Sequence, residues 1–337
     1  MSLKSVGCAF LGNLSQDYYI THDGKIFLGV LGGEIVYAAA GAMVWSAHTR
    51  LFSRVGSDFP LDLLDEMTRA GIDTSGVRIL ADAHDLRHFF VYGAPDQRAE
   101  VSPAAQFLKM NAPLPKALIG FDPIARRRIE GEAYQPLALR PDDLPVSARD
   151  VHGALLCPDD YLCHSLLPVR LRELGVDIVA LDPSGAYMEP GFAREMPALL
   201  NGITAFLPSE EEARSLFRPA VMDIWDMAET LCAMGCRYTV IKCGPGGVCA
   251  MDSRAGDHWL VPAYPSRLRD ITGAGGAFGG GFLAGLALTG DLVEACLHGA
   301  VSASLAIEGR GALYSIGAYP DLPTARLHAL RARVTRI

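Results

Sequence analysis

The stretch Asp270-Ile-Thr-Gly-Ala-Gly-Gly-Ala-Phe-Gly-Gly-Gly281 holds six glycines in twelve residues and runs on into Phe282-Leu-Ala-Gly-Leu286. Glycine at this density is turn chemistry, yet the apolar pattern from Ala277 to Leu288 has helical spacing. A glycine-rich turn that opens a helix suits an anion. Glycine lets a ligand approach the backbone closely, and the first N–H groups of a helix have no partner inside it. The same glycines would equally serve a helix of small residues packed tightly in a core, and glycine content alone does not choose between the two. Elsewhere, Pro208-Ser-Glu-Glu-Glu212 reads as a capped helix start with acidic residues in its first turn. Asp182-Pro183 ends an apolar run, where open parallel sheets place their ligands. The cysteines are Cys8, Cys157, Cys163, Cys232, Cys236, Cys243, Cys249 and Cys296. No compact Cys/His framework accompanies them, so they read as small buried hydrophobes with reduced thiols rather than zinc ligands.

The order of residues in the glycine stretch resembles the C-terminal signature of the ribokinase-like (PfkB) sugar kinases, Asp-Thr-Thr-Gly-Ala-Gly-Asp-x-Phe-x-x-Gly. Asp270, Thr272, Gly273, Ala274, Gly275, Phe278 and Gly281 match it, and Ile271 replaces a Thr. The resemblance implies that Gly273, Ala274 and Gly275 form an anion hole and that Thr272 stands at the nucleotide. It also exposes a departure. The family's Asp after the second glycine takes the proton from the substrate hydroxyl, and here that place is Gly276. Losing a general base costs about two to four powers of ten in rate. The added Gly279-Gly280 is expected to loosen the first helical turn, each glycine costing about 1 kcal/mol relative to Ala. Gly276→Asp is expected to place a carboxylate at the helix N-terminus and raise activity by about a hundredfold or more.

Further segments are similar to the same family. Gly12-Asn-Leu-Ser-Gln-Asp17 has the spacing at which the family's first strand ends in a glycine and an Asp binds sugar hydroxyls, although Asp17 also reads as a turn residue. Gly32-Gly33-Glu-Ile-Val-Tyr37 resembles the motif Gly-Gly-x-x-x-Asn that opens a helix under the substrate, so Gly32, Gly33 and Tyr37 are assigned to the substrate. Tyr37 replaces the Asn and loses the amide's paired donor and acceptor, which departs from ordinary pentose or hexose recognition. Arg54-Val-Gly-Ser-Asp58 with Gly71-Ile-Asp-Thr74 matches a further family passage, with Asp58 expected as a helix N-cap. Glu212 matches the Glu of a Pro-Asn-x-x-Glu element that organises magnesium through water, and Ser209 replaces its Asn. Lys242-Cys-Gly244-Pro-Gly-Gly247 resembles the turn bordering the nucleotide, which assigns Lys242, Gly244 and Gly247 to the cofactor. The implied ligands are ATP and Mg2+, with a monovalent cation as a further expectation.

The elements that must position these residues follow from periodicity. From Val151 onward, short apolar runs at Ala154–Cys157, Val176–Leu181, Ile203–Leu207 and Tyr238–Cys243 alternate with helical patterns at Leu167–Leu174 and Asp223–Met234, which predicts βαβ units and a parallel sheet. The expected fold is α/β, a mostly parallel sheet with helices on both faces in one ribokinase-like domain spanning 1–337. The resemblance adds a small β lid from segments within 12–40 and 80–105. Residues 106–145 are proline-rich and poorly periodic and read as a loop, lid or partner-binding insertion. Arg126-Arg-Arg128 within it reads as a solvated face or a phosphate contact.

The chain has 337 residues, of which 50% are hydrophobic and 20% charged, enough to bury a large core. A net charge of −8 and a pI near 5.6 argue against nucleic acid as a partner. No apolar run approaches a membrane span, and no secretory pattern is visible near Met1, so the expected location is cytoplasmic. The expected partners are a small-molecule substrate and, by resemblance, a second copy joined through the lid. Three functions remain open: a working ATP-dependent kinase of a hydroxylated substrate, a non-catalytic relative that binds a sugar, nucleoside or nucleotide and regulates a partner, and an Asp-to-Gly variant of a true kinase.

Overall fold

The computed structural model describes residues 6–94, 96–123, 135–145 and 151–337. In chain order its strands are β1 (Gly7–Leu11), β2 (Ser15–Ile20), β3 (Ile26–Gly32), β4 (His48–Val55), β5 (Asp73–Ile79), β6 (Arg87–Ala94), β7 (Gln97–Glu100), β8 (Gly153–Leu156), β9 (Ile178–Leu181), β10 (Ala205–Phe206), β11 (Tyr238–Lys242), β12 (Val248–Asp252), β13 (Asp257–Val261) and β14 (Thr335–Arg336). Ten of them form one sheet in the order β14-β13-β12-β11-β10-β9-β8-β1-β4-β5. Pairing is parallel from β5 through to β11 and antiparallel across β11–β12–β13–β14.

The central strands are short apolar runs because both of their faces are covered. Along β1, Cys8 and Phe10 enter the hydrophobic cluster on one face, and Ala9 and Leu11 enter the cluster on the other. Leu155 and Ala180 continue the first cluster, while Leu156 and Leu181 continue the second. The first face is layered by the helices Glu34–Met43, Ala274–Thr289 and Leu292–Ala306, and the second is covered in part by the helix Tyr161–Glu173.

A second, four-stranded sheet has the order β3-β2-β6-β7 and comes from the two segments expected to build the small β layer. Period-two alternation gives it two apolar faces. Tyr18, Ile20 and Phe89 pack on Phe107 and Leu118, while Tyr19, Phe90 and Tyr92 form a separate aromatic cluster. The described part of segment 106–145 therefore does not form a free loop. Its first half closes the outer face of the small sheet. Its second half is tied down by charge: Asp143 accepts from Arg54 Nε at 2.7 Å and from Arg78 at 2.9 Å, and Arg140 pairs with Asp160 at 2.9 Å. Arg126-Arg-Arg128 lie outside the described residues.

Two local expectations are corrected. Asp58 is not a helix N-cap: the helix Leu61–Arg69 is preceded by Pro60, and Asp58 Oδ1 accepts instead from the His84 amide at 2.9 Å. Nor do Gly279 and Gly280 loosen the helix that carries them. A Cβ on Gly280 would lie 1.8 Å from the carbonyl oxygen of Ala38, and one on Gly41 would fall inside Ala277. The helices Glu34–Met43 and Ala274–Thr289 touch backbone to backbone. Gly281 and Gly285 make the same kind of approach to Ser302 and His298. The glycine stretch thus divides, its later members serving helix packing and its first members opening on the site.

Candidate active site

The helix Ala274–Thr289 begins after Gly273, which takes φ 74° in the left-handed region. A side chain there would also run into the Tyr37 ring, so both conformation and space demand glycine. Ala274 donates its amide to Ile271, and Thr272 donates its own to Asp270 Oδ1 at 2.9 Å. The amides of Gly273, Gly275 and Gly276 have no acceptor among the described residues. They are free donors at the positive end of a helix dipole, a place suited to an anion.

Lys242 stands beside this turn. Its ammonium lies 3.6 Å from where a Cβ on Gly275 would be and contacts both oxygens of Asp182 at 2.7 Å. β11 ends at Lys242 and β9 ends one residue before Asp182, so the carboxyl ends of parallel strands deliver the ion pair. Burial by itself lowers the Lys242 pKa, but the Asp182 and Glu212 carboxylates more than reverse this and keep the ammonium charged. An open cleft of about 450 Å³ adjoins it, lined by Ser209, Glu210, Arg214, Arg218, Lys242 and Gly244. Gly244 faces open space, whereas Gly247 is required by packing, because a Cβ there would meet the Val261 backbone.

Glu212 is used first as a cap. Its Oε2 accepts from the Ser209 amide and hydroxyl, both at 2.7 Å, and the Ser209 hydroxyl accepts from the Glu212 amide, closing a capping box. Its Oε1 has no partner among the described residues. No group of three or more His, Cys, Asp or Glu side chains gathers to hold a metal among the described residues. The cysteines have no disulfide partner and are buried apart from the half-buried Cys243.

Across the glycine turn, the structure brings together Asp17, Gly32, Gly33 and Tyr37, the residues expected to meet a substrate. The Asp17 carboxylate lies directly over Gly32, leaving no room for a Cβ, and accepts from the Ser15 hydroxyl at 2.7 Å. Tyr37 is buried against Gly273, and its hydroxyl has no hydrogen-bond partner among the described residues. Burial pushes the Tyr37 pKa well up, and Asp17, Asp270, Tyr92 and Glu34 add to the rise, so these groups share one electrostatic environment. Tyr92 joins the small sheet to the glycine turn: its hydroxyl donates to Asp270 Oδ1 at 2.6 Å and also meets the Thr272 hydroxyl. Thr272 is therefore engaged by the small sheet.

Two features escaped sequence reasoning. Tyr92 was visible only as a strand residue. Glu34 follows the Gly-Gly pair, and its one local signal was an acidic residue in a helical first turn, which reads as a dipole partner. In the structure a Cβ on Gly276 would lie 2.5 Å from Glu34 Oε2, 2.7 Å from the Glu34 carbonyl oxygen and 3.2 Å from Tyr37 Cβ. Gly276→Asp, expected to place a carboxylate at this helix N-terminus, would therefore enter a place crowded by side chain and backbone alike.

Comparison with known proteins follows this geometry. Residues 165–317 match the family described as pfkB family carbohydrate kinase. The chain is 25% identical over 292 residues to a cytidine kinase of Thermococcus kodakarensis, covering 86% of this chain and 91% of that one. It is 34% identical over 137 residues to an uncharacterized sugar kinase of Archaeoglobus fulgidus, covering 40% of this chain and 52% of that one. Among solved structures, a putative ribokinase II from E. coli in complex with ATP and Mg2+ superposes with a TM-score of 0.71 at 16% identity, over 96% of this chain and 99% of that one. A Burkholderia thailandensis nucleoside kinase in complex with inosine gives 0.68 at 17% identity, over 96% and 99%. The fold is ribokinase-like.

Proposed function

The chain is a member of the pfkB family of carbohydrate kinases, and from that premise we propose that it transfers the γ-phosphoryl group of ATP to a hydroxyl of a sugar or nucleoside. The observation that carries this reading is the set of unpaired amides at Gly273, Gly275 and Gly276 beside the Lys242 ammonium. Phosphoryl transfer needs positioning and charge neutralisation more than covalent help from the protein. A backbone cradle with a half-buried lysine beside it supplies both.

The roles divide across the site. The amides and Lys242 receive the terminal phosphate, and the cleft past Gly244 with Arg214 and Arg218 takes the rest of the nucleotide. Mg2+ bound with ATP would neutralise phosphate charge, and the unpartnered Oε1 of Glu212 is the group to hold it through water. One or two carboxylates with substrate phosphates are the usual magnesium environment, which suits a site without a cluster of protein ligands. Asp17 and the Tyr37 hydroxyl bind substrate hydroxyls.

A nucleoside is favoured over a bare sugar. The small sheet turns Tyr19, Phe27, Phe90 and Tyr92 into one aromatic cluster, with Tyr19 stacked on Phe27 at 4.7 Å and on Phe90 at 5.2 Å. Its Tyr92 reaches the glycine turn. Aromatic faces hold bases by stacking worth about 1–3 kcal/mol each. The cytidine kinase and nucleoside kinase relatives point the same way. Ile26 and Leu28, exposed on the edge strand β3, are the surface through which a second copy would dock, a proposal that sedimentation of an Ile26→Lys variant tests.

The test is ADP release with ATP and Mg2+ across cytidine, inosine, adenosine, ribose and fructose, with and without potassium, beside calorimetry with a non-hydrolysable ATP analogue. Turnover of a nucleoside at a higher kcat/KM than any free sugar is expected. Binding of the analogue without turnover on any substrate would favour the non-catalytic binding reading, whose one specific support is glycine at position 276.

A further inference from the structure

The family resemblance leaves the reaction without its proton acceptor, and the structure holds a carboxylate beside the vacated position. We propose that Glu34 is the general base, supplied from the start of the helix Glu34–Met43 in place of the side chain missing at Gly276. This rests on the kinase reading given above.

Distance carries the argument. A carbon–carbon bond followed by a carbon–oxygen bond spans about 2.4 Å, so an aspartate's carboxylate oxygens sit that far from its Cβ. Glu34 Oε2 lies 2.5 Å from where a Cβ on Gly276 would be. A longer side chain on a neighbouring helix thus brings its oxygen as near to that backbone position as an aspartate there would bring its own. The arrangement also requires the glycine, since any side chain at 276 would compete with Glu34 for the same space.

The other carboxylates nearby are committed. Both oxygens of Asp182 hold Lys242 at 2.7 Å. Asp270 Oδ1 accepts from the Tyr92 hydroxyl and the Thr272 amide. Asp17 Oδ1 accepts from Ser15, and its carboxylate lies over Gly32. The Glu34 side chain makes no hydrogen bond or ion pair among the described residues and is only half-buried, so it can meet a substrate from the open side. It stands in the first turn of one helix and faces the first turn of a second, beside the free amides. The close packing of the two helices through Gly41 and Gly280 holds Glu34 in register with the cradle.

In the proposed step the substrate O–H bond breaks and its proton passes to the Glu34 carboxylate. The oxygen's electron pair forms a bond to the γ-phosphorus of ATP. The bond from that phosphorus to the bridging oxygen breaks, and its electron pair leaves on ADP. Glu34 then returns the proton to water.

The experiment compares the unaltered chain with Glu34→Gln and Glu34→Asp, using ATP, Mg2+ and the best substrate of the nucleoside and sugar panel. Glu34→Gln should lower kcat by about a hundredfold or more. Calorimetric affinity for the non-hydrolysable ATP analogue should stay within about twofold, because the cradle is backbone. The acid limb of the kcat–pH profile should vanish in Glu34→Gln and persist, at reduced kcat, in Glu34→Asp. A merely structural role would lower activity without removing that limb. Turnover of the unaltered chain that survives in Glu34→Gln within a few fold would overturn the assignment while leaving the kinase reading intact. Analogue binding with no turnover by the unaltered chain would overturn both.

Discussion

Gly280→Ala sets two physical effects against each other and so tests the packing that positions the site. Helix propensity alone predicts stabilisation by about 1 kcal/mol, because alanine replaces glycine in a helix interior. Packing predicts the reverse. The new methyl carbon would lie 1.8 Å from the Ala38 carbonyl oxygen, roughly 1.6 Å short of ordinary contact at 3.4 Å. That oxygen belongs to backbone, so the helices Glu34–Met43 and Ala274–Thr289 must part. Overpacking a close-packed core typically costs about 1–3 kcal/mol and occasionally more. The contact here is backbone and deeply short, so the net loss should be about 2 kcal/mol after the propensity gain. Urea unfolding followed by circular dichroism measures it. Gly185→Ala is the control, since a Cβ there meets nothing within 4 Å. Activity should fall as well, because the same helix pair carries Glu34 and Tyr37 on one side and Gly273 and Gly276 on the other. A displacement near 1 Å can cost about a hundredfold in rate. If Gly280→Ala is as stable as the unaltered chain, or more so, with unchanged turnover, the backbone contact and the reasoning built on it are wrong.

Lys242→Met should destabilise by about 3 kcal/mol, because it leaves the buried Asp182 carboxylate without its partner. Adding Asp182→Asn should restore the stability but not the lost nucleotide affinity, as urea midpoints and calorimetry would show. Glu212→Ala should cost about 1 kcal/mol through loss of the capping box, whereas Glu212→Gln keeps the cap and should only raise the Mg2+ concentration needed for half-maximal rate. An unchanged magnesium requirement would reduce Glu212 to a cap. His164 is fully buried, its Nδ1 against the Tyr187 hydroxyl at 2.5 Å and its Nε2 against the Cys157 carbonyl at 2.9 Å, and burial lowers its pKa to about 4 from 6.5. Below pH 6.5 the unfolded chain takes up a proton that the folded one refuses, so this contribution is intact above 6.5 and is lost as pH falls toward 4, by about 3 kcal/mol. Burial raises Asp159 to about 6, which acts in the opposite sense, so the quantity to measure is the difference between His164→Gln and the unaltered chain across that range. The variant should have the flatter acid limb.

Sequence alone determined the strand–helix alternation from Val151 onward, since buried parallel strands must be short and apolar and the helices between them must cover both faces. It also determined the glycine turn that opens a helix, because glycine order is a local property of the backbone and the free amides of Gly273, Gly275 and Gly276 follow from where that helix begins. Asp17, Gly32, Gly33 and Tyr37 could each be picked out from motifs that are contiguous in the chain, although their contacts could not. Only the tertiary structure decided the rest. The partner of Lys242 is sixty residues away at the end of another strand, and strand order in a sheet is set by long-range packing that no local pattern reports. Gly279 and Gly280 looked like a weakness until Leu155 of β8 was set against the first and a second helix against the other, because a missing side chain has meaning only relative to what fills its space. For the same reason Gly276 reads in the sequence as a lost group. In the fold it is the space that a glutamate two hundred and forty-two residues earlier comes to occupy.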